Sequence, residues 1–244
     1  MPIDIGGYIF NSSLADPQDY KNIITRGLVL HLDASTTESY PGSGTSWYDM
    51  SNNGYISTLV NGPTYSSTNG GIITFDGVDD YGSLSLNGIT LDNGNTIEIF
   101  VRRPTTPPAW RTFINIKPQS ANTPFYEFRT TDANLITVLD YYNPGNAIDY
   151  YTTSYTIDTT NYWHLVGTYD GSTTTTYYVN GNLIGTATTP AFALGTDPRL
   201  SLGLEYSEYR PANIILPICR IYNRALSLTE ISHNYNVQKG RFGL

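Results

Sequence analysis

Residues 161–186, NYWHLVGTYDGSTTTTYYVNGNLIGT, constrain the fold more than any other stretch of this chain. From His164 to Tyr169 the side chains alternate, with Leu165, Gly167 and Tyr169 on one face and His164, Val166 and Thr168 on the other. That period of two belongs to a strand covered on at least one side. Asp170-Gly171 supplies the positive φ needed for a reversal, and Thr175 to Val179 is β-branched and aromatic. Asn180-Gly181 is the strongest short hairpin signal, because both residues tolerate the left-handed positions of a type I′ turn. Three consecutive antiparallel strands follow.

Composition extends this reading to the whole chain. Tyr, Thr, Ser, Asn and Gly dominate, and only 14% of residues are charged. An all-β protein is expected. At 244 residues it falls within the roughly 200–250 residues that sandwiches and barrels reach as one domain. Neither a fixed-period repeat nor an apolar run long enough to span a bilayer is visible, so a soluble protein without membrane insertion is expected. The first residues, MPIDIGGYIFNSSL, lack the basic-then-apolar pattern of a secretory signal. The lone Cys219 lies in the apolar run IILPICRIY and reads as a buried thiol, consistent with folding in a reducing cytoplasm. A net charge of −8 disfavours nucleic acid, which requires a clustered basic surface.

Short helices are expected at the two ends. Asp16-Pro17-Gln18-Asp19 offers an N-cap and a Pro at the first helical position. Tyr20, Ile23 and Ile24 then form an apolar stripe that Gly27 ends. Ser227-Leu228-Thr229-Glu230 is a capping box, after which Leu228, Ile231 and Tyr235 are expected to bury one face. Residues 1–26 read as an N-terminal arm preceding a domain over 27–244. The arm carries Ile3, Ile5, Tyr8, Ile9 and Phe10 around a Gly6-Gly7 hinge. Too short for a core of its own, it needs something to bury against, and a docking segment is the sharper reading.

Four segments in order, SYPGSGTSWYDMSNNG, ITFDGVDDYGSL, YWHLVGTYDG with YYVNGNLIG, and ICRIYNRALSLTEISHNYN, resemble the laminin-G-like, concanavalin A-like jelly-roll domains found in bacteriophage virion proteins. The resemblance spans about residues 27–244. It implies two facing antiparallel sheets, with the last strand, Leu216 to Tyr222, beside the first, Leu28 to Asp33. This fold hosts lectins, glycoside hydrolases, lyases and structural modules, so function must be argued from a site.

Glycosidases of this fold carry paired carboxylates at alternate strand positions. Neither Glu98 nor Glu127 has such a neighbour in sequence, so no catalytic residue is assigned and a non-enzymatic protein is expected. Tyr162 and His164 share a face, but a surface histidine hydrogen-bonded on a strand is the simpler reading. Asp76, Asp79 and Asp80 crowd one turn. They are the candidate metal ligands, with calcium as the ion such oxygens would take; holding the turn through backbone amides is the competing role. No other cofactor is required. Sugar recognition needs an aromatic ring with flanking polar groups, and two segments offer this. Trp110 and Arg111 form one; Tyr141, Tyr142 and Asn143 with Asp149, Tyr150 and Tyr151 form the other, read as loops whose tyrosines equally suit a strand or a subunit interface.

The expectation from sequence is therefore a phage virion module, assembled in the host cytoplasm and exposed on the particle as a head decoration, fibre or appendage component. Its partners would be other virion proteins, through the arm, and further copies of itself. The alternative is an adhesin for cell-surface polysaccharide, and a polysaccharide-degrading enzyme ranks third.

Overall fold

The computed structural model describes residues 22–105, 110–118, 126–130, 135–143, 147–188, 197–204 and 210–244, with the backbone alone described at 118 and in 135–143 and 147–154. The docking-arm residues Ile3, Ile5, Tyr8, Ile9 and Phe10, and the start of the expected N-terminal helix, lie outside the described residues. Residues 22–25 are not helical, and Ile23 is buried.

The described strands form an antiparallel two-sheet sandwich, as the sequence led us to expect. One sheet contains β1 (Leu28–Asp33), β4 (Thr64–Ser66), β5 (Ile72–Asp76), β7 (Asn95–Arg102), β12 (Trp163–Tyr169), β13 (Thr174–Val179), β14 (Asn182–Thr188) and β16 (Asn213–Tyr222). The order is β14-β13-β12-β7-β16-β5-β4, with β1 also on β16. The other sheet contains β2 (Ser46–Tyr48), β3 (Ile56–Val60), β6 (Tyr81–Ser85), β8 (Arg111–Pro118), β9 (Tyr126–Thr130), β10 (Leu135–Asn143), β11 (Ala147–Thr156) and β15 (Pro198–Leu202). Its order is β11-β10-β9-β8-β15-β6-β3-β2. We refer to these as the first and second sheets.

Local turn chemistry explains the β12-β13-β14 meander. Asn180 and Gly181 take φ values of 49° and 75°, the left-handed pair of a type I′ hairpin. At the preceding turn Asp170 Oδ1 accepts from the amides of Ser172, Thr173 and Thr174 at 2.8–3.0 Å. Strand β16 is the spine of the first sheet. It pairs with β5 over Asn213–Leu216 and with β1 over Ile218–Tyr222. Pro217, which has no N–H to donate, sits where the partner changes, the place in a ladder where proline is tolerated.

The core fills the space between the sheets. Leu30, Leu32, Ile97, Ile99, Leu165, Tyr169, Cys219 and Ile221 of the first sheet meet Ile114, Ile116, Tyr126, Phe128, Leu200 and Leu202 of the second, all in one buried cluster. Burial pushes the Cys219 thiol well above its ordinary pKa, so the thiol is held protonated, as expected for a core cysteine.

The outer face of the first sheet is closed by α1 (Leu228–Phe242), which begins at the expected capping box: Ser227 accepts from the Glu230 amide, and Glu230 accepts from the Ser227 amide. The face that α1 buries runs through Ile231, Asn234, Gln238 and Phe242. Leu228, expected to be covered, is 48% exposed, because it belongs to the first turn and lies off that stripe.

Beneath α1 is a sealed ionic centre. Glu98 Oε1 meets His164 Nε2 at 2.9 Å and Arg220 Nη1 at 3.1 Å. Asn234 Nδ2 donates to Glu98 Oε2 at 2.9 Å, and Asn234 Oδ1 accepts from the Ile24 amide at 2.9 Å. Burial pushes the Glu98 carboxyl up, but Arg220 and the His164 hydrogen bond outweigh it and hold it at about 2. Arg241 pairs with Asp33 at 2.8 Å and donates to the Gly71 carbonyl. A Cβ on Gly71, whose φ is 146°, would lie 2.0 Å from the Ala34 carbonyl oxygen. Gly71→Ala is expected to cost ~3 kcal/mol or more, measured by urea unfolding, because only backbone movement relieves that overlap.

Candidate functional site

The sequence-expected residues do not converge on one place. His164 is fully buried, correcting the expectation of a surface position. Its ring stacks between Phe100 (centroids 4.5 Å) and Tyr235 (5.6 Å), and α1 covers the strand face it occupies. Glu98 lies on the outer face of the first sheet and Glu127 on the outer face of the second, since their neighbours Ile97, Ile99, Tyr126 and Phe128 fill the core between them. The two carboxylates are therefore separated by the sandwich and cannot act on one glycosidic bond, which needs a pair about 5–9.5 Å apart.

At the acidic turn, side-chain oxygens of Asp76, Asp79 and Asp80 lie within 4.8 Å of one another. Asp76 Oδ1 accepts from the Val78 amide at 2.7 Å, and Asp80 Oδ2 from the Asp76 amide at 3.1 Å. Burial raises the Asp80 pKa. These bonds are the turn-holding role open to such a cluster, and the same oxygens have the chemistry calcium takes.

Tyr141, Tyr142, Asn143, Asp149, Tyr150 and Tyr151 were read as loop residues and are strand residues instead. They belong to the β10–β11 hairpin, where Tyr141 pairs with Asp149 and Asn143 with Ala147. This hairpin forms one end of the second sheet; residues 144–146 at its tip lie outside the described residues.

The second sheet also has an outer face, and there the register assembles something that no single segment displays. Ser46 lies opposite Thr58, Thr58 opposite Ser83, Ser83 opposite Ser201, Ser201 opposite Asn115, and Asn115 opposite Glu127. Directly opposed residues share a face. One unbroken polar row thus crosses six strands, from β2 to β9. Lys117 and Arg199 are opposed in the adjacent row. On its other side Thr112 is opposite Arg129, and the Thr112 hydroxyl donates to Glu127.

Asn115 and Ser201 are fully buried, and neither the amide nitrogen and oxygen of Asn115 nor the hydroxyl of Ser201 has a hydrogen-bond partner. Leaving such groups unsatisfied costs about 1–3 kcal/mol each. At the same end Trp110 has a φ of 57°, unusual for a bulky residue, and the Arg129 guanidinium lies 4.6 Å from its ring centroid. Arg111, the other member of that expected pair, begins β8 opposite Thr130. Among the described residues singled out in the sequence, Glu127 lies in this row and Trp110 is tied to it through Arg129. The other row residues were missed, and Glu127 was weighed only as a carboxylate, although the alternation in RTFINIKP, YEFRT and PRLSL carried the signal.

Comparison with known proteins places this architecture. A sequence search of curated proteins found no match. Solved structures similar to the chain include the Trypanosoma rangeli sialidase (14% identity, TM-score 0.66, 88% of this chain and 33% of that one). The binding domain of Paraclostridial Mosquitocidal Protein 1 is another (17% identity, TM-score 0.65, 90% of this chain and 53% of that one). A third is the binding domain of Botulinum neurotoxin DC, solved in complex with rat synaptotagmin II (12% identity, TM-score 0.68, 88% of this chain and 52% of that one). The chain spans about a third of the sialidase and about half of each toxin binding domain, and at these identities the likeness shows the fold. The sequence profile described as the Concanavalin A-like lectin/glucanases superfamily matches residues 76–232, the region that holds both sheets' central strands and most of the polar row. The chain belongs to the concanavalin A-like lectin/glucanase superfamily.

Proposed function

We propose that this domain is a non-enzymatic glycan-binding module whose site is the polar outer face of the second sheet. The carrying observation is Asn115, a fully buried amide whose nitrogen and oxygen both lack a protein partner. It lies in a row of hydroxyls and carboxylate suited to sugar hydroxyls. Superfamily membership supports the reading, as does the mixture of a sialidase and toxin binding domains among the similar folds. Glu127 has Arg129 at 3.9 Å and no second carboxylate in the row, which favours binding over hydrolysis.

Purified protein passed over immobilised microbial and animal polysaccharides is expected to be retained on at least one, without release of soluble sugar ends. Asn115→Leu is expected to abolish retention while leaving unfolding stability unchanged or raised, because it removes two unsatisfied polar atoms. Failure of the native protein to bind any polysaccharide, or full retention of the variant, overturns the reading.

We further propose that the module works at a particle or cell surface as an attachment element. Support for a virion setting comes from the order of the four sequence segments, and its docking arm lies outside the described residues. Immunogold labelling of purified particles tests it: labelling together with antibody-blocked adsorption supports virion attachment, and unlabelled particles exclude it.

A further inference from the structure

The polar row is not uniformly accessible. At its β2–β3 end it is open: Tyr48 and Ile56 are 41% and 48% exposed, and they are cross-strand partners on the face that carries Ser46 and Thr58. In the middle Ser83 is half-buried. Beyond it Ser201 and Asn115 are fully buried, and Glu127 is nearly so. The floor therefore passes from an open shelf with an aromatic ring to buried polar groups, of which Glu127 neighbours Arg129, the residue stacked on Trp110; Trp110 has a left-handed backbone, the kind of strain that gathers at ligand sites. Strand spacing separates the two ends by about 24 Å, five ladder gaps, the length of several sugar residues.

Accessibility of this kind distinguishes two ways of holding a polymer. A chain lying across the sheet along its whole length leaves at both ends and needs both ends open. A chain entering by its terminus needs one open end and one enclosed end, with unpartnered polar groups at the enclosed end to meet the terminal hydroxyls. Among the described residues the row is open at Tyr48 and Ile56 and buried from Ser201 to Glu127, which is the second pattern. Resting on the glycan-binding reading, we infer that the domain captures a linear polysaccharide by one terminus. The terminal sugar meets Asn115, Ser201 and Glu127, the following sugars pass over Ser83 and Thr58, and the Tyr48 ring stacks on the outermost of them.

The test uses calorimetric titration of the full chain with linear oligosaccharides of two, four and six residues. They are prepared from a polysaccharide that retains the protein, each one free, blocked at the reducing end, or blocked at the non-reducing end. Affinity is expected to rise about tenfold or more from two to six residues, and blocking one end only is expected to abolish binding. Tyr48→Ala, at an exposed position where folding is not at risk, is expected to remove the gain from length while leaving the disaccharide affinity unchanged. Equal binding of both blocked forms overturns end capture, and equal affinity of the shortest and longest oligomers overturns the extended row. In either case the glycan-binding reading stands. Retention on no polysaccharide overturns both.

Discussion

Glu98→Leu is expected to destabilise this protein by about 3–5 kcal/mol, the cost of stranding one member of a buried ion pair. In a chain of this size that lowers Tm by roughly 10 °C. The size of the effect follows from what remains. Arg220 is fully buried and donates to Glu98 Oε1 at 3.1 Å; it cannot shed its charge by deprotonation. Asn234 loses its carboxylate acceptor at 2.9 Å, and with it one of the bonds that seat α1. Arg220→Met is expected to cost less, because Glu98 keeps its bonds to His164 and Asn234. The double variant Glu98→Leu/Arg220→Met is expected to recover much of the loss, as apolar replacements of whole buried pairs often do. Urea unfolding of the three variants measures this, and a loss below ~1 kcal/mol for Glu98→Leu would contradict it.

Acidification is expected to weaken the fold over a defined window, through His31. Burial, reinforced by Arg220, lowers its pKa from 6.5 to about 3, against the opposing pull of Asp33 and Glu98. Between those values the unfolded chain binds a proton that the native state refuses, so stability is full above pH 6.5 and declines as pH falls towards 3. The linked loss is on the order of 5 kcal/mol. Glu98 acts in a different range. Its pKa is held down at about 2 from 4.5, so its contribution is present above pH 4.5 and disappears as pH falls through 2. Asp33, also shifted down, with Arg241 the largest lowering influence against the burial that raises it, adds acid lability of the same sign. Thermal unfolding from pH 7 to pH 3.5 is expected to show a steep decline for the native chain and a shallower one for His31→Phe. Identical profiles would mean that His31 does not control the window.

How much of this was legible in the sequence depended on the distance over which each feature is built. The β12-β13-β14 meander and the capping box at Ser227 are local, each set by a few adjacent residues, and both could be read directly. The pairing of the last strand with the first joins residues nearly two hundred positions apart and came only through the resemblance. His164 shows the limit of periodicity: alternation placed it on the correct face, but nothing in the strand reveals that α1 lies over that face. Residues 140–151 were rich in turn formers, yet the tyrosines pair across a hairpin, where β propensity prevails over composition. The polar row was hardest. Thr58, Ser83, Asn115, Glu127 and Ser201 come from five separate strands, and only cross-strand register lines them up; Glu127 alone had drawn notice, as a carboxylate without a partner.

The sealed underside formed by α1 and residues 22–26 has a consequence for how the domain is presented. Arg224 and Glu230 clamp this region from the helix side, with Arg224 donating to the Arg26 carbonyl at 2.9 Å and to Glu230 at 2.7 Å, while the His233 ring meets the Asn22 carbonyl at 2.7 Å. Residues 22–26 are therefore held at the back of the sandwich, with the full thickness of the core between them and the polar row. A tether attached there leaves the opposite surface facing outward, so several copies fixed on one support would point their rows in a common direction and gain avidity from the arrangement alone.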